Sequence, residues 1–163
     1  MKETETILTE EIEWNPEIAH SDYAITKYGA EMEVWRGQQE GLQVVIVNPG
    51  VIFGSMIWTD GSGEFFSKIK KGLPFYTKGS TGYVGVCDVV KVMRLLMKSE
   101  ISGERFSLVS ENYSFEKIIF SIAEKLGVKK PSFEIKPLIT SLAWRLDWFV
   151  STVFRTKRKI TKY

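Results

Sequence analysis

The sequence predicts an α/β fold, and three consecutive features of its first third carry that prediction. Residues 22–39 form the first feature, a helix that Ser21 or Asp22 can cap. After a turn at Gly41, residues 42–48 form a nearly unbroken apolar, β-branched run that a Pro-Gly pair closes. Such a run is typical of a strand buried on both faces of a parallel sheet. A helix, a short turn and a buried strand together make the second half of a βαβ unit.

The predicted helix carries two apolar stripes on roughly opposite sides. The first stripe consists of Ile25, Tyr28, Met32 and Trp35. The second stripe consists of Tyr23, Lys27, Ala30 and Val34. A helix with two such stripes is expected to be covered on both sides.

The rest of the chain alternates short helices and short strands, with no internal repeat. Loop-like residues occupy 51–62, where several glycines fall. Helices are expected at 64–71, 88–98 and 114–126, and strands at 75–76, 83–86, 105–109 and 131–135. A Trp- and Phe-rich helix is expected at 138–154, before a basic end at 155–163.

Composition and charge are those of a single globular domain. The 163 residues are 44% hydrophobic and 26% charged, which argues against a disordered or fibrous chain. The formal net charge is +2, and five of the basic side chains fall in residues 155–163, where no acid balances them. The rest of the chain is mildly acidic, so nucleic acid is not expected as the main partner.

The cysteine and histidine counts exclude further classes of site. Cys87 is the only cysteine, so no internal disulfide can form, and a reducing, cytoplasmic location is expected. His20 is the only histidine, so no metal site is expected. The acidic N-terminal residues lack the apolar run of a signal peptide, and no uninterrupted apolar stretch is long enough to span a membrane.

Tyr23 and Lys27 form a Y-x-x-x-K motif inside the first predicted helix. Residues four apart lie on one helical face, so the ammonium group can stand beside the phenol. A neighbouring cation favours the phenolate, which lets a tyrosine give a proton to a carbonyl oxygen or take one from an alcohol. On the motif alone, a half-buried surface pair is the simpler interpretation.

Tyr113 and Lys117 match the same motif in a different context. Tyr113 precedes Ser114, the predicted cap of the helix at 114–126, so it is not expected to share a helical face with Lys117. Tyr23 and Lys27, by contrast, lie inside a helix that leads directly into the predicted buried strand. Context therefore favours the first pair.

The sequence around the first pair resembles the extended short-chain dehydrogenase/reductase family. The resemblance is carried by S-D-Y-A-I-T-K-Y-x-A-E at residues 21–31 and by G-L-Q-V-V-I-V-N-P-G-V-I-F-G at 41–54, and it continues through 83–90 and 103–106. Within that family, the dihydroflavonol-reductase-like oxidoreductases look nearer than the nucleotide-sugar epimerases. The resemblance implies the C-terminal part of a Rossmann-like NAD(P)-binding fold. Residues 1–54 would hold the last Rossmann helix and strand, and residues 55–163 a small α/β substrate-binding lobe.

The resemblance also implies an activity, NAD(P)-dependent hydride transfer on a carbonyl or alcohol. Tyr23 would be the proton donor or acceptor, while Lys27 would stabilise the phenolate and hold the nicotinamide ribose. Trp58 and Tyr83 would line the substrate pocket, although such aromatic residues more often belong to a core. Backbone just after the N-P-G turn would approach the nicotinamide ring, and the residues there are Pro49, Gly50, Val51 and Ile52.

Two parts of the family's catalytic set have no counterpart in this sequence. In the family, the strand, Gly-rich turn and helix that bind the pyrophosphate lie far upstream of the Tyr/Lys helix, whereas only 22 residues precede Tyr23. The family's upstream Ser/Thr, which helps bind the substrate carbonyl, is missing as well. The resemblance therefore implies a C-terminal fragment of an NAD- or NADP-dependent enzyme that is not a competent reductase by itself.

Residues 79–85 match the spacing of a dinucleotide-binding G-x-x-G-x-x-G turn. They follow the Tyr/Lys helix and no clear buried strand leads into them, so no dinucleotide is expected to bind there. Cys87, close by, has no histidine near it in sequence. It is expected to be a buried thiol at a helix start and not a nucleophile.

The expected partners are a small-molecule substrate and a second copy of the chain. A strand of a parallel sheet that lacks its neighbours leaves an unpaired edge, and association is expected through the helix at 22–39. Two alternatives to an enzyme fragment stay open. One is a non-enzymatic binding or regulatory module of the same fold. The other is a peripheral membrane protein that uses the segment at 138–154, although a helix packed on its own domain is the simpler interpretation of that segment.

Overall fold

A computed structural model of the chain describes residues 9–17, 20–55 and 58–136, together with Arg145. Within these ranges the helices are α1 (Asp22–Gln39), α2 (Gly63–Lys70), α3 (Val86–Leu96) and α4 (Phe115–Lys125). The strands are β1 (Val45–Pro49), β2 (Val51–Phe53), β3 (Phe75–Thr77), β4 (Ser80–Gly85), β5 (Glu104–Leu108), β6 (Glu111–Ser114) and β7 (Phe133–Ile135). The helix expected at 138–154 and the basic end lie outside the described residues, apart from Arg145.

The strands form small sheets in which parallel pairs predominate. β1 pairs parallel with β5, and β3 pairs parallel with β7. β2 pairs parallel with β4, whose other edge pairs antiparallel with β6. The mixed α/β class predicted from the sequence is therefore confirmed.

Two strands were not expected from the sequence. Residues 51–53 are not a loop but β2, and residues 111–114 form β6. The glycines around 51–62 suggested a loop, but Val51, Ile52 and Phe53 are apolar and half-buried, as a short strand requires. β6 carries Glu111 and Asn112, which are exposed, so no apolar alternation indicated a strand.

Gly50 lies between β1 and β2 and allows the chain to pass from one sheet to the next. Its N–H group donates to the carbonyl of Leu108 at 3.0 Å. A Cβ atom at residue 50 would lie 2.4 Å from the carbonyl oxygen of Gly82 in β4. Only a residue without a side chain fits so close to another backbone, which explains the glycine of the N-P-G turn.

A cluster of buried apolar residues lies between α2 and α4. They are Ile69 of α2 and Ile119, Ile122 and Ala123 of α4. Tyr76 of β3 packs against this cluster and meets Phe120 edge-on, with ring centroids 5.2 Å apart. The core of the described chain therefore belongs to the part that follows the N-P-G turn.

The first helix forms as expected but is less covered than expected. The Ser21 hydroxyl accepts a hydrogen bond from the N–H group of Ala24 at 3.2 Å, and Gly41 ends the helix with φ of +100°. No residue of α1 is buried, however, so the expectation that both of its sides are covered is wrong for the described chain.

β1 is also shorter and less buried than expected. It begins at Val45, and no residue of it is fully buried, because within the described residues β5 is its only neighbour in the sheet. The even-numbered residues face β5, since the carbonyl of Val44 accepts from Gly103 and the N–H group of Gly50 donates to Leu108. Alternate residues of a parallel strand point to opposite neighbours, so the backbone groups of Val45, Val47 and Pro49 stand at the other edge of β1.

Cys87 lies in the first turn of α3, as expected, but its side chain is exposed and not buried. Helix α3 turns Val89 toward the protein, which directs residue 87 to solvent. Among the helices of the described residues, none is long and apolar enough to cross a membrane.

Candidate functional site

Tyr23 and Lys27 lie one turn apart at the start of α1, as their spacing predicts. The Tyr23 side chain is 75% exposed, and that of Lys27 is exposed as well. Lys27 lines a cleft of about 650 Å³ beside α1, whereas Tyr23 stands outside the lining of that cleft. The chain thus presents both groups to solvent and places only the lysine at a concave surface.

We call this concavity the α1 cleft. One wall is α1, the opposite wall is β1, and residues 12–15 close one side. Ile46, Val47 and Asn48, three consecutive residues of β1, all contribute to the lining. Successive side chains of a strand point to opposite faces, so a cleft that meets three in a row opens onto the edge of the strand.

An aromatic stack stands at the α1 cleft. The ring of Trp14 lies 3.7 Å from that of His20 and 4.5 Å from that of Tyr28, nearly parallel to the latter. The Nε2 atom of His20 is 2.8 Å from the carbonyl oxygen of Asn15. Trp14 and His20 lie in the acidic N-terminal part of the sequence, where no functional site was expected. The available signal was a tryptophan within an otherwise acid-rich stretch.

A polar network centred on Glu31 forms the base of the α1 cleft. Its carboxylate pairs with the Arg105 guanidinium at 3.2 Å and accepts hydrogen bonds from Trp35 Nε1 at 3.3 Å and from Asn48 Nδ2 at 3.4 Å. The Glu31 side chain is 17% exposed and that of Arg105 is 30% exposed, so both charges are largely withdrawn from water. The network connects α1 to β1 and β5, and no motif or spacing in the sequence indicates it.

Arg105 extends the same network to residues 9–17. Its guanidinium donates to the carbonyl oxygens of Glu10 and Ile12, and the bond to Ile12 measures 2.9 Å. The Glu10 carboxylate in turn accepts from the N–H group of Ser107 at 2.8 Å. This hydrogen bond, with further backbone bonds and the nearby Arg105 charge, lowers the pKa of Glu10. The segment that brings Trp14 to the cleft is thus attached to β5.

Pro49, Gly50, Val51 and Ile52 run from the end of β1 into β2. Asn48, immediately before them, lines the α1 cleft together with Lys27. Ile52 borders a shallower depression of about 330 Å³, and its carbonyl oxygen accepts a hydrogen bond from the Ser62 hydroxyl. The N-P-G turn therefore begins at the same cleft that Lys27 lines.

Trp58 and Tyr83 stand at different points of one aromatic cluster. The ring of Trp58 lies 5.7 Å from that of Phe66, Phe66 lies 5.3 Å from Phe53, and Phe53 lies 5.2 Å from Tyr83. The Trp58 side chain is 41% exposed, whereas that of Tyr83 is 7% exposed.

The Tyr83 hydroxyl is buried and has no hydrogen-bond partner among the described residues. Burial raises the pKa of Tyr83, because a phenolate would lose its hydration there. The Tyr83 hydroxyl therefore stays protonated and can donate a hydrogen bond to an acceptor that the described residues do not supply. Both a pocket-lining position and a core position are compatible with this.

Tyr113 and Lys117, the second match to Y-x-x-x-K, do meet in the structure, but not on a helical face. Tyr113 lies in β6, and the Nζ atom of Lys117 stands 4.1 Å from the centre of its ring, a cation–π contact. A hydrogen bond to the Glu111 side chain raises the pKa of Tyr113, so this phenol holds its proton more tightly. The pair is poorly suited to proton transfer.

Residues 79–85 are not a phosphate-binding turn. Most of them form β4, whose backbone is paired with β2 on one side and with β6 on the other. A phosphate cradle needs free N–H groups at a loop before a helix, and these groups are engaged in the sheet. Among the described residues, no group of three His, Cys, Asp or Glu side chains stands close enough to hold a metal ion.

Comparison of the sequence with known proteins finds a relative that matches most of this chain. The chain is 30% identical over 119 residues to sterol demethylase protein B of Methylococcus capsulatus, a match that covers 72% of this chain and 36% of that protein. No protein-family model matches the sequence.

Solved structures share the fold over most of this chain. The protein gox2253 superposes with a TM-score of 0.71 at 25% identity, over 86% of this chain and 43% of its own. A nucleoside-diphosphate-sugar epimerase from Pseudomonas aeruginosa has a TM-score of 0.76 at 21% identity, over 90% and 47% respectively. dTDP-glucose 4,6-dehydratase from Bacillus anthracis, solved with NAD, has a TM-score of 0.64 at 14% identity, over 99% and 53%.

These similarities show that the chain has an α/β fold. Its structural neighbours are Rossmann-like, NAD-binding proteins. More narrowly, the fold is shared with NAD-dependent epimerases and dehydratases, one branch of the extended family that the sequence resembles. The chain spans about a third to a half of the length of the relatives that it matches.

Proposed function

We propose that this chain is the Tyr/Lys-bearing half of an NAD(P)-dependent oxidoreductase or epimerase-type enzyme that acts on a carbonyl or alcohol. Residues 1–54 would contribute the acid–base pair and the N-P-G turn, and residues 55–163 the substrate lobe. The observation that supports this most directly is the placement of Lys27 and Asn48 in one cleft, with Tyr23 one turn before the lysine.

In this proposal Tyr23 transfers the proton and Lys27 stabilises the phenolate. The cofactor supplies the hydride when it is bound. Lys27 would hold the nicotinamide ribose, and the backbone from Pro49 to Ile52 would lie against the ring. The residues present fit that end of a dinucleotide, because Lys27 lines the same cleft as Asn48 and forms no ion pair among the described residues.

For the pyrophosphate end of the dinucleotide, the described residues offer no comparable site. Among the described residues, the one match to a Gly-rich phosphate turn, at 79–85, is engaged in β4, and the glycines between β2 and α2 are spread over the long loop at residues 54–62 instead of a tight turn. We therefore propose that a further polypeptide segment completes the dinucleotide site. The small-molecule substrate would be bound only in the completed enzyme.

The acid–base role is tested by Tyr23→Phe in the polypeptide at its full native length. Removal of a general acid–base group is expected to lower kcat by about 10²–10⁴-fold while NAD(P)H still binds. Thr26→Ala, a change at an exposed position that does not line the α1 cleft, is the matched control and should leave kcat unchanged. Wild-type kcat in the Tyr23→Phe enzyme would contradict the assigned role.

The need for a further segment is tested separately with the 163-residue chain alone. We expect no NADPH-dependent carbonyl reduction, because the described residues offer no pyrophosphate-binding turn. Measurable reduction would overturn this part of the proposal.

A non-enzymatic binding module of the same fold makes a different prediction. Its ligand affinity should be nearly unchanged by Tyr23→Phe, and no turnover should be detected even with the native-length protein. The observation that favours this alternative is that the Tyr23 side chain is exposed and does not line the α1 cleft. The membrane-binding alternative rests on residues 138–163, which lie outside the described residues apart from Arg145.

A further inference from the structure

The two-stranded parallel sheet of β3 and β7 has an inner and an outer face. Tyr76 of β3 points to the inner face, where it packs on the buried cluster between α2 and α4. Successive side chains of a strand point to opposite faces, so Phe75 and Thr77 point outward. The register pairs Phe75 with Phe133. It also pairs Thr77 with Ile135, and we call these four outward residues the outer β3–β7 face.

Two aromatic side chains of the outer β3–β7 face are open to solvent. Phe75 is 44% exposed and Phe133 is 68% exposed. Because the two residues are partners in the register, they stand about 4.8 Å apart at the backbone, and their rings form one apolar patch. A patch of adjacent exposed rings, unlike a single exposed side chain, indicates a surface that binds another body.

The segments that carry the two rings are rich in lysine and poor in acid. Residues 65–80 hold four lysines and no acid, and residues 125–136 hold four lysines and one acid, Glu134. Glu134 is the register partner of Tyr76, so its side chain points to the inner face, where it pairs with Lys78 at 3.1 Å. The one acid of these segments therefore leaves the outer β3–β7 face.

Lysines without an ion-pair partner accompany the two rings. Lys71 and Phe75 line one cleft beside β3. Lys129 lies four residues before Phe133, and Lys136 directly follows β7. All three lysines are exposed, and none of them forms an ion pair among the described residues. The outer β3–β7 face thus combines apolar rings with positive charge that no acid offsets.

The chain continues from this sheet into a stretch with the same two kinds of residue. Lys136 comes directly after the end of β7, and residues 137–163 follow, outside the described residues apart from Arg145. In the sequence, this stretch contains two tryptophans and two phenylalanines, and residues 155–163 contain five bases and no acid. The face and the stretch attached to it therefore share aromatic rings and unbalanced positive charge.

We propose that the outer β3–β7 face docks on a membrane surface that contains anionic lipids. Phe75 and Phe133 enter the boundary between head groups and acyl chains, which accommodates aromatic and other apolar side chains. Lys71, Lys129 and Lys136 stand at the level of the anionic head groups, which attract basic side chains near the surface. A lipid surface of this kind satisfies the rings and the lysines together. The inference does not depend on the proposed hydride transfer, because it concerns binding by the lobe alone.

The test is co-sedimentation of the full 163-residue chain with vesicles of phosphatidylcholine and phosphatidylserine. We expect saturable binding that weakens as the salt concentration rises, because salt screens the lysine charges. Vesicles of phosphatidylcholine alone should bind at least about tenfold more weakly, because they lack the anionic head groups. A parallel run without vesicles measures any sedimentation of the chain by itself.

Aromatic variants locate the contact. The double variant Phe75→Gln, Phe133→Gln is expected to weaken vesicle binding by about tenfold or more, because two apolar rings no longer leave water. Leu95→Gln is the matched control, because Leu95 is 69% exposed on α3 and does not belong to the outer β3–β7 face. It should leave vesicle binding unchanged. A thermal melt of each variant checks that the fold is retained.

Charge variants test the same face without removing an apolar side chain. Lys71→Gln and Lys129→Gln are each expected to weaken binding to the phosphatidylserine vesicles by about fivefold. Lys91→Gln is the matched control, because Lys91 lies on α3 and pairs with Asp88. Since Lys71 and Lys129 are exposed, these variants test the proposal even if the double aromatic variant does not fold.

Several results would overturn the proposal. They are absence of binding to the phosphatidylserine vesicles, equal binding to vesicles of phosphatidylcholine alone, or an equal loss in a control variant. A loss in the variant Trp144→Ser, Trp148→Ser with none in the aromatic variant of the outer β3–β7 face would assign the contact to residues 137–163 instead. An aromatic variant that changes self-association but not vesicle binding would identify the face as a contact between copies of the chain. None of these results measures turnover, so each is independent of the assays for the proposed function.

Discussion

Tyr83 combines two properties that usually exclude each other, deep burial and an unpaired hydroxyl group among the described residues. Leaving such a group unpaired is costly, so removal of the hydroxyl should stabilise the fold. We expect Tyr83→Phe to raise the free energy of unfolding by about 1 kcal/mol at neutral pH in denaturant titrations. Tyr113→Phe is the matched control and should lower it, because the Tyr113 hydroxyl is bonded to Glu111.

The same residue predicts a dependence on alkaline pH. Since burial raises the pKa of Tyr83, the folded chain keeps this proton at pH values where the unfolded chain has lost it. The ionisation of Tyr83 therefore does not affect stability below the unfolded pKa of about 10, and the chain loses stability as pH rises from there through the folded pKa. Tyr83→Phe should lack this loss. Destabilisation by Tyr83→Phe at neutral pH would instead reveal an acceptor for the hydroxyl.

Replacing Gly50 by alanine should destabilise the fold, whereas the same change at Gly29 should not. In Gly50→Ala the new Cβ atom would meet the Gly82 backbone at 2.4 Å, and neither backbone can move freely within its sheet. We expect this variant to lose about 2 kcal/mol or more of unfolding free energy. Gly29→Ala, in α1 with nothing within 4 Å of the new Cβ atom, should be neutral or stabilising by up to about 1 kcal/mol. Similar effects at the two sites would contradict the close approach.

At the scale of elements, local signals predicted the helices well. Ser21 and Ser114 accept N–H bonds at the starts of α1 and α4, and Gly41 and Gly127 adopt positive φ just beyond their ends. These capping rules act within a few residues, so the sequence contains them in full. Strand β6 was missed because its pairing with β4 depends on residues far apart in sequence. The Glu31–Arg105 contact was missed for the same reason, since 74 positions separate the two residues.

The segment at residues 9–17 is an element whose attachment should depend on pH. The Ser107 N–H group, together with other hydrogen bonds and Arg105, lowers the pKa of Glu10. Its contribution to attachment is therefore present above the unfolded pKa of about 4.3 and is lost as pH falls through the folded pKa.

We expect acid titration to shift the Ser107 amide signal and to change Trp14 fluorescence together. Glu10→Gln should produce the released spectrum at neutral pH, whereas Glu11→Gln, at the neighbouring exposed position, should not. An unchanged Ser107 amide in Glu10→Gln would show that the segment is attached by Arg105 alone.

For the whole molecule, the distribution of burial is uneven. In the described part of the chain the core lies between α2 and α4, whereas the eighteen residues of α1 include none that is buried, and β1 pairs there with β5 alone. Exposed Ile25 and Val34 lie on α1, and β1 offers the unpaired backbone groups of Val45 and Val47 at its free edge. Surfaces of this kind favour association with another chain.

We therefore expect the isolated chain to self-associate at concentrations on the order of tens of micromolar, as measured by sedimentation velocity. Ile25→Glu places a charge on the face of α1 away from the cleft and should shift the chain toward monomer if that face is the interface. Val34→Glu places the charge inside the α1 cleft. It should shift the chain toward monomer if association uses the cleft and the edge of β1 instead of the outer face of α1. Leu95→Glu, at a 69% exposed position of α3, is the matched control and should leave the association unchanged. A clean monomer in the unaltered chain would mean that α1 and β1 tolerate exposure without a partner.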